Sequence, residues 1–472
     1  MASLTFLGAV EGVTGSMYLL KTESGTILLD CGLYQGSRKE EQGNFSHFPF
    51  SVQDIDAVVL SHAHLDHCGR LPMLVKFGYR GPIYMTTPTC ELIEILLKDA
   101  ASLQMRDTEW ENKRRRRSGK KEIEPLYTLE DVDATLACCE GIAYNSPRPV
   151  LHGVDLCLAE AGHILGSSIV QLTINEGTVR RRLVFSGDLG NSQAALLRNP
   201  AYLQDADVVL MESTYGDREH RSMAETLDEF EQVIIDASQN GGNILIPSFA
   251  VGRTQEILFR LGELYQQGKL PQRLISLDSP MAIAVTELYH RYQDVYNRKD
   301  LAAIEQHDDP AHRHQHSLHT FLPTLRYSVT TEESMALNRI ESGAIIIAGS
   351  GMCNGGRIRH HLKHNLWRRQ SHVIFVGYQA IGTPGRTLVD GTERIRIAGE
   401  SIVVRAQIHT LGGFSAHASQ SQLTDWLAHF SDPRPQLFLV HGEEETKQAL
   451  KQHLSQFGWK AKIPQLNQTI EV

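Results

Sequence analysis

Short apolar runs broken by glycine and serine turns open the chain. "LTFLGAVEGVTGSMYLLKTESGTILLDCG" predicts three strands, the last ending at Asp30, Cys31 and Gly32. "IDAVVL", Ile55 to Leu60, is an unbroken, β-branched apolar run and predicts a buried strand, and "CGRLPMLVKFG" beyond it begins a helical pattern. "GPIYMT" reads as a further strand, and "TCELIEILLKDAASLQMRD" as a strongly periodic helix. "EPLYTLEDVDATLACC" opens another helix with Thr128 as N-cap and Asp131 three residues later. "AGHILGSSIVQLTI" sets His163 just ahead of a strand, "RRLVFSGDLGN" ends a strand at Asp188, and the run Val208 to Met211 leads into Glu212.

The pattern then changes. From "SMAETLDEFEQVII" onward, helix, strand, Ser/Gly turn and helix alternate through "NILIPSFAVGRTQE", "RLISLDSPMAIAVTELYHRY", "GAIIIAGSGMCNGGRIRHHLKH" and "HVIFVGYQ". Such alternation predicts a parallel sheet flanked by helices, as a domain of its own over residues 209–395, between a first part at 1–208 and a C-terminal part at 396–472. Inside it, "QHDDPAHRHQHSLHTFLPT" has no periodicity, and its histidines at 307, 312, 314, 316 and 319 read as lining a polar surface loop. The tail returns to short strands, with "ERIRIAGESIVVRAQIHTL" alternating, "GGFSAHASQSQLTDWLAHF" a turn and helix, and "PQLFLVHGEEETKQALKQHL" placing His441 where an apolar strand ends.

The 472 residues set an expectation of two to four domains, and 41% hydrophobic content is ample for more than one core. No apolar run reaches the roughly 18 residues of a membrane span, and the start carries no basic, cleavable leader. Seven cysteines without a Cys-x-x-Cys pair suit a reducing cytoplasm. The net charge of −9 argues against a broad basic footprint for nucleic acid, although "KRRRRSGKK", Lys113 to Lys121, is a local exception. That run reads either as a solvated loop or as a contact to a phosphate backbone, and both readings stay open.

The densest chemistry lies in "SHAHLDHCG", Ser61 to Gly69. Side chains two apart at a strand end leave on the same side, so His62 and His64 reach one metal, while Asp66 and His67 point to a second ion close by. Imidazole and carboxylate are the ligands of a catalytic zinc, which keeps one position open for water. His163 and Asp188, both at strand ends, complete the first site, and the two oxygens of Asp188 can bridge both ions. Asp30 is placed to hydrogen-bond a metal-bound histidine and fix its tautomer.

These residues resemble the motifs of metallo-β-lactamase-fold nucleases of the β-CASP group, whose members include the endonuclease subunit of the eukaryotic pre-mRNA cleavage and polyadenylation complex and its bacterial and archaeal counterparts. Asp30 fits the family's first motif, His62, His64, Asp66 and His67 the second, His163 the third and Asp188 the fourth. Glu212 in "ESTYG", His417 in "GFSAH" and His441 in "LVHGE" fit the additional β-CASP motifs, and "PSFAVGRTQE" and "GSGMCNGGR" resemble signatures of the inserted domain. The sequence reads as lacking the N-terminal KH module and the long C-terminal extension of some relatives, which sets the expectation of no role inside a large processing complex and no extra RNA-binding platform.

The resemblance implies an α/β fold, a four-layer αβ/βα domain interrupted by a β-CASP domain on a mainly parallel sheet, with substrate in the cleft between them. It implies two Zn2+ per chain, one on His62, His64, His163 and Asp188, the other on Asp66, His67, Asp188 and His441. The implied activity is hydrolysis of RNA phosphodiesters with a metal-activated water, leaving a 5′ phosphate and a 3′ hydroxyl. His417 would protonate the departing oxygen, Glu212 would hold that imidazole, and Asp66 would orient the nucleophile. Gly/Ser turns at helix starts favour anions, which nominates Ser248 with Arg253, Ser350 and Ser415 as phosphate contacts. The expected partner is single-stranded RNA, with no membrane and with a homodimer left open. A histidine at position 441 goes with RNA substrates in the family. A DNA nuclease and a small-molecule hydrolase of the same fold are the rival readings.

Overall fold

The structure, a computed structural model, describes residues 1–36, 38–306, 318–380 and 382–472. It divides into two compact units, one of residues 1–192, 199–219 and 417–472, the other of residues 193–198 and 220–416. The histidines at 307, 312, 314 and 316 lie outside the described residues. His319 does not line a surface loop: it is half-buried on the short helix Leu318–Phe321, with its ring 4.4 Å from that of Tyr327.

The first unit contains two sheets. One has seven strands in the order Thr469–Glu471, Ser3–Phe6, Tyr18–Thr22, Gly25–Leu29, Ala57–Val59, Ile83–Thr86, Cys139–Ile142. The other has six, in the order Gln436–Leu439, Val208–Met211, Val179–Phe185, Ser168–Glu176, Val154–Glu160, Arg148–Leu151. Successive side chains of a strand face opposite ways. Leu183, Phe185, Val208, Leu210 and Phe438 therefore face the first sheet, where they meet Phe6, Tyr18, Ile27, Leu29, Ala57 and Val59. Val184, Val209, Met211, Leu437 and Leu439 face the other way, onto Leu423, Trp426 and Leu427 of the helix Gln420–Ala428 and Leu450 and Leu454 of the helix Glu444–Gln456. Burial on both faces is why these strands read as continuous apolar runs rather than alternating ones. Leu92, Ile93, Leu96 and Leu97 of the helix Thr87–Arg117 cover the outer side of the seven-stranded sheet at Ile83–Thr86 and Cys139–Ile142. Helix, sheet, sheet and helix make the four layers that the resemblance implies.

The helix Thr87–Arg117 is longer than its periodic apolar stretch, and Lys113 to Arg117 belong to it rather than to a loop. Glu109–Lys113 and Glu111–Arg115 pairs at one-turn spacing extend it, and basic side chains in a last turn interact favourably with the helix dipole. The capping box at Thr128 and Asp131 forms as the sequence indicates.

In the second unit a six-stranded sheet, in the order Leu325–Tyr327, Leu274–Leu277, Ala344–Ala348, Ile244–Pro247, His372–Phe375, Gln407–Thr410, is parallel throughout. Both limits of this unit differ from the expected 209 and 395. Val208–Met211 pairs in parallel with Val179–Phe185 and Gln436–Leu439, so it stays in the first unit and the change-over falls after residue 219. Gln407–Thr410 pairs in parallel with His372–Phe375, so the chain returns to the first unit only at residue 417.

Candidate metal centre

Local backbone geometry splits the His-x-His-x-Asp-His stretch into two directions. The strand Ala57–Val59 ends as Asp30 Oδ1 accepts from the Ser61 N–H at 2.8 Å. The chain stays extended through His64, whose φ and ψ are −62° and 145°. It then coils into the single turn Leu65–Cys68, where the carbonyl of His64 accepts from the N–H groups of His67 and Cys68 at 2.9 Å each. That turn swings Asp66 and His67 away from His62 and His64.

Three other segments of the same unit meet this loop. Ser167 Oγ accepts from the His163 N–H at 3.0 Å and shapes the turn that presents His163. Asp188 follows the strand Val179–Phe185 through Gly187, whose φ of +54° lets the chain turn sharply. His441 follows Gln436–Leu439 with φ +51°, its N–H donating to the carbonyl of Ala9 at 2.7 Å.

Two ligand groups result. His62 Nε2 and His163 Nε2 each lie 3.1 Å from His64 Nδ1. Asp188 Oδ2 stands 3.4 Å from His62 Nε2 and 3.5 Å from His163 Nε2. On the other side, His67 Nε2 and His441 Nε2 are 3.1 Å apart, and Asp66 Oδ2 lies 3.9 Å from the first and 3.5 Å from the second. Asp188 Oδ1 turns to this group, 3.3 Å from His67 Nε2 and 3.4 Å from His441 Nδ1.

The donor set fits metal. Tetrahedral ligands about 2.0–2.1 Å from a zinc ion lie about 3.3 Å from one another, close to the nitrogen spacings found. Facing imidazole nitrogens without a cation between them share at most one proton. Asp188 Oδ1 is buried and has no hydrogen-bond donor among the described residues, a costly state for an anionic oxygen that a bound cation relieves. Among the described residues, His62, His64, His163 and Asp188 form one group able to hold an ion, and Asp66, His67 and His441 another.

Electrostatics readies most of the ligands for metal. His67 is an exception: burial works against its charge, but Asp188, Asp30 and Asp66 outweigh it and hold it well above the ordinary histidine range, so a bound cation must displace its proton. Burial pushes His64 down to about 3 and His163 well below the ordinary histidine range, so both offer neutral nitrogens. His62 is lowered too, by burial first and then by His67. For Asp188, burial works against the charge, but His441, His67 and His62 outweigh it and hold the carboxyl well below its usual range. Asp66 is likewise held ionised by His67 and His441 against burial.

Hydrogen bonds outside the ligands fix ring orientation. Asp30 Oδ2 sits 2.7 Å from His67 Nδ1 and also accepts from the hydroxyls of Ser16 and Ser61 at 3.0 Å each. With Nδ1 donating to Asp30, the lone pair of Nε2 is aimed into the centre. Thr214 Oγ1 lies 3.2 Å from His441 Nδ1, and Ser61 Oγ lies 3.1 Å from His62 Nδ1. Thr214 and Ser61 were not nominated from the sequence, although Ser61 opens "SHAHLDHCG" and Thr214 lies within "ESTYG".

Beside the ligands, His417 Nδ1 faces Glu212 Oε1 at 3.1 Å. Glu212 is buried, and the same oxygen accepts from the Leu189 N–H at 2.7 Å. Burial opposes a charge on His417, but Glu212 prevails and raises this imidazole to about 9.

The phosphate candidates Ser248, Arg253, Ser350 and Ser415 all belong to the second unit. Ser248 Oγ accepts from Thr254 Oγ1 at 2.9 Å, Ser350 Oγ accepts from the Gly355 N–H at 3.3 Å, and the buried Arg253 pairs with Glu256. Ser415 precedes His417 by two residues in the chain.

Comparison with known proteins puts this geometry in a family. A metallo-beta-lactamase superfamily domain matches residues 19–212, a Beta-Casp domain residues 254–388, and a Zn-dependent metallo-hydrolase RNA specificity domain residues 401–464. The chain is 41% identical over 467 residues to a Thermus thermophilus protein named Ribonuclease TTHA0252, covering 98% of this chain and 99% of that one. It is 32% identical over 454 residues to the transcription termination factor FttA of Methanocaldococcus jannaschii, covering 93% of this chain and 67% of that protein. A solved structure of a protein of unknown function from Enterococcus faecalis V583 shares the fold, with a TM-score of 0.55 at 13% identity over 99% of each chain. With histidine and aspartate ligands converging in one unit and the three domain matches running in that order along the chain, this protein belongs to the β-CASP family of the metallo-β-lactamase superfamily.

Proposed function

We propose that the chain is a zinc-dependent ribonuclease that hydrolyses RNA phosphodiester bonds. The observation that carries this reading is the pair of ligand groups sharing Asp188, with the His417–Glu212 pair alongside. The 41% identity to a named ribonuclease and the match to an RNA specificity domain support RNA as the substrate.

His62, His64 and His163 would hold one zinc, Asp66, His67 and His441 the other, and Asp188 both. Bound zinc supplies Lewis acidity, lowering the pKa of a water toward about 7 and neutralising charge on the phosphate oxygens. The chain's own groups do the rest. Asp30 holds the proton of His67 Nδ1, so that ring cannot rotate out of place. Asp66 orients the attacking water in line with the bond to be broken. Glu212 keeps the proton on His417 Nδ1 and supports the imidazolium, which leaves Nε2 to donate a proton to the departing 3′ oxygen. The products are a 5′ phosphate and a 3′ hydroxyl.

The test uses metal-loaded protein and RNA labelled at either end, carrying a 5′ hydroxyl, monophosphate or triphosphate. Cleavage is expected, with loss on chelation and in a His67→Ala, His417→Ala double variant. Internal cuts in triphosphorylated RNA would register endonuclease action, and a ladder requiring a 5′ monophosphate would register exonuclease action. Undiminished cleavage by the double variant, or hydrolysis of a chromogenic lactam or a glutathione thioester with RNA left intact, overturns the proposal.

A further inference from the structure

We infer that the far end of the helix Thr87–Arg117, with the turn behind it, is a second grip on single-stranded RNA, holding the phosphate backbone well away from the cut. The inference rests on the ribonuclease reading above and adds a contact to it.

The helix buries side chains only as far as Ala101. From residue 102 to Arg117 every position is partly or fully exposed, so at 1.5 Å per residue about 24 Å of helix adds no fully buried side chain to its own unit. This end is built rather than frayed. Asn112 Nδ2 donates to the carbonyl of Ile123 and Asn112 Oδ1 accepts from the Ile123 N–H, both at 2.9 Å. Arg115 Nη1 donates to the carbonyl of Lys121 at 2.9 Å, and the Lys120 N–H to that of Arg115 at 2.9 Å.

On this fixed tip stand seven cations, Lys113, Arg114, Arg115, Arg116, Arg117, Lys120 and Lys121, in a chain of net charge −9. Four have carboxylate partners: Lys113 at 2.7 Å from Glu109, Arg114 at 3.2 Å and Arg115 at 3.5 Å from Glu111, and Arg116 at 2.9 Å from Glu122. Those four are accounted for by helix stability. Arg117, Lys120 and Lys121 are exposed and have no ion pair among the described residues. Three like charges within five positions repel one another, and only Arg117, in the last turn, gains from the helix dipole. An evenly spaced polyanion is the partner that uses them. One face of the same tip is aromatic: Trp110 is 61% exposed, with the Arg114 guanidinium 4.9 Å from its ring centroid. An exposed indole beside cations suits an unpaired base stacking on it, which single-stranded RNA supplies and an acidic protein or a lipid headgroup does not.

The other end of the helix is tied to the metal centre. Thr86 and Thr89 donate their hydroxyl protons to the carbonyl of Gly166, at 2.6 Å and 2.8 Å, in the turn that presents His163. From Thr89 to Arg117 the helix runs about 42 Å. A stacked strand advancing about 3.4 Å per nucleotide needs roughly twelve nucleotides to span that distance. The grip therefore acts on long RNA and is out of reach of short RNA.

The test compares metal-loaded parent protein with an Arg117→Ala, Lys120→Ala, Lys121→Ala variant and with Trp110→Ala, by fluorescence anisotropy on phosphorothioate RNA of about six and about thirty nucleotides. For the long RNA at about 0.1 M salt, the triple variant is expected to bind about tenfold more weakly, with its salt slope reduced by about 2, as three phosphate contacts at about 0.7 each require. Trp110→Ala weakens binding severalfold and leaves the slope unchanged. For the short RNA the ratio of parent to triple-variant affinity stays near one. An unchanged affinity and slope on long RNA, or an equal loss on both lengths, overturns the grip while leaving the ribonuclease reading in place. A triple variant that loses adhesion to anionic vesicles but not to RNA also overturns it. A parent that binds no RNA of either length overturns both readings.

Discussion

His67 is held from both sides, with Asp30 on Nδ1 and the centre on Nε2, and both His67 and Asp30 are fully buried. Replacing Asp30 by Asn keeps the shape but removes the anion. The expected result is a 10–100-fold loss in metal affinity or cleavage rate, the usual cost of losing such a support, read by titration with a zinc indicator. His67→Ala should go further, with mass spectrometry counting one tightly held zinc per chain instead of two. His417 separates from the ligands by its response to the leaving group. His417→Ala should retain both zincs yet cleave RNA about 10²–10⁴-fold more slowly, the usual contribution of a positioned proton donor. On a p-nitrophenyl phosphodiester, whose leaving group needs no proton, the loss should be far smaller. Most of this centre was legible in the sequence because few side chain types bind zinc and their spacing in Ser61 to Gly69 is tight. Thr214 and Ser61 were not, since a hydroxyl acquires its role only from the imidazole it happens to face.

Among elements, strands were read well where both faces are buried, and helix ends were read poorly. The helix Thr87–Arg117 continues past its apolar face because charge pairs and the dipole carry it, and periodicity is silent about both. A second element-scale feature escaped the sequence altogether. His372 and His409, on neighbouring parallel strands of the second unit, lie ring on ring with planes 8° apart and His372 Nδ1 3.1 Å from His409 Nε2. Burial first, then the charge of His409, pushes His372 down to about 4 from an ordinary 6.5, and burial lowers His409 as well. An unfolded chain binds more protons than the native one across that window, so the stability present above about pH 6.5 drains away as pH falls toward 4. Thermal melts between these limits should show a steep decline for the parent and a shallower one for His372→Gln. Identical slopes would mean that the pair carries no linkage.

At the scale of the molecule, the first unit is assembled from three stretches of chain, and its centre draws ligands from all but one of them: 62–67, 163 and 188 from the first, 441 from the last. A bound metal would act as a tie between distant segments, and a ligand that favours the native state stabilises it by mass action, about 4 kcal/mol at a thousandfold excess over Kd. Chelation should lower the melting temperature by several degrees, and should do so far less in a His67→Ala, His163→Ala variant. The unit boundaries were the least legible part. Val208–Met211 and Gln407–Thr410 are ordinary short strands, and only their hydrogen-bonded neighbours decide which sheet they join.

The order of the ligands along the chain bears on the protein's own synthesis. His62, His64, Asp66, His67, His163 and Asp188 leave the ribosome first, and the whole second unit is translated before His417 and His441 exist. A growing polypeptide thus lacks one of the seven ligands, together with His417, until the second unit is complete. The centre therefore closes only when translation is nearly over, and any cleavage that depends on it waits until then.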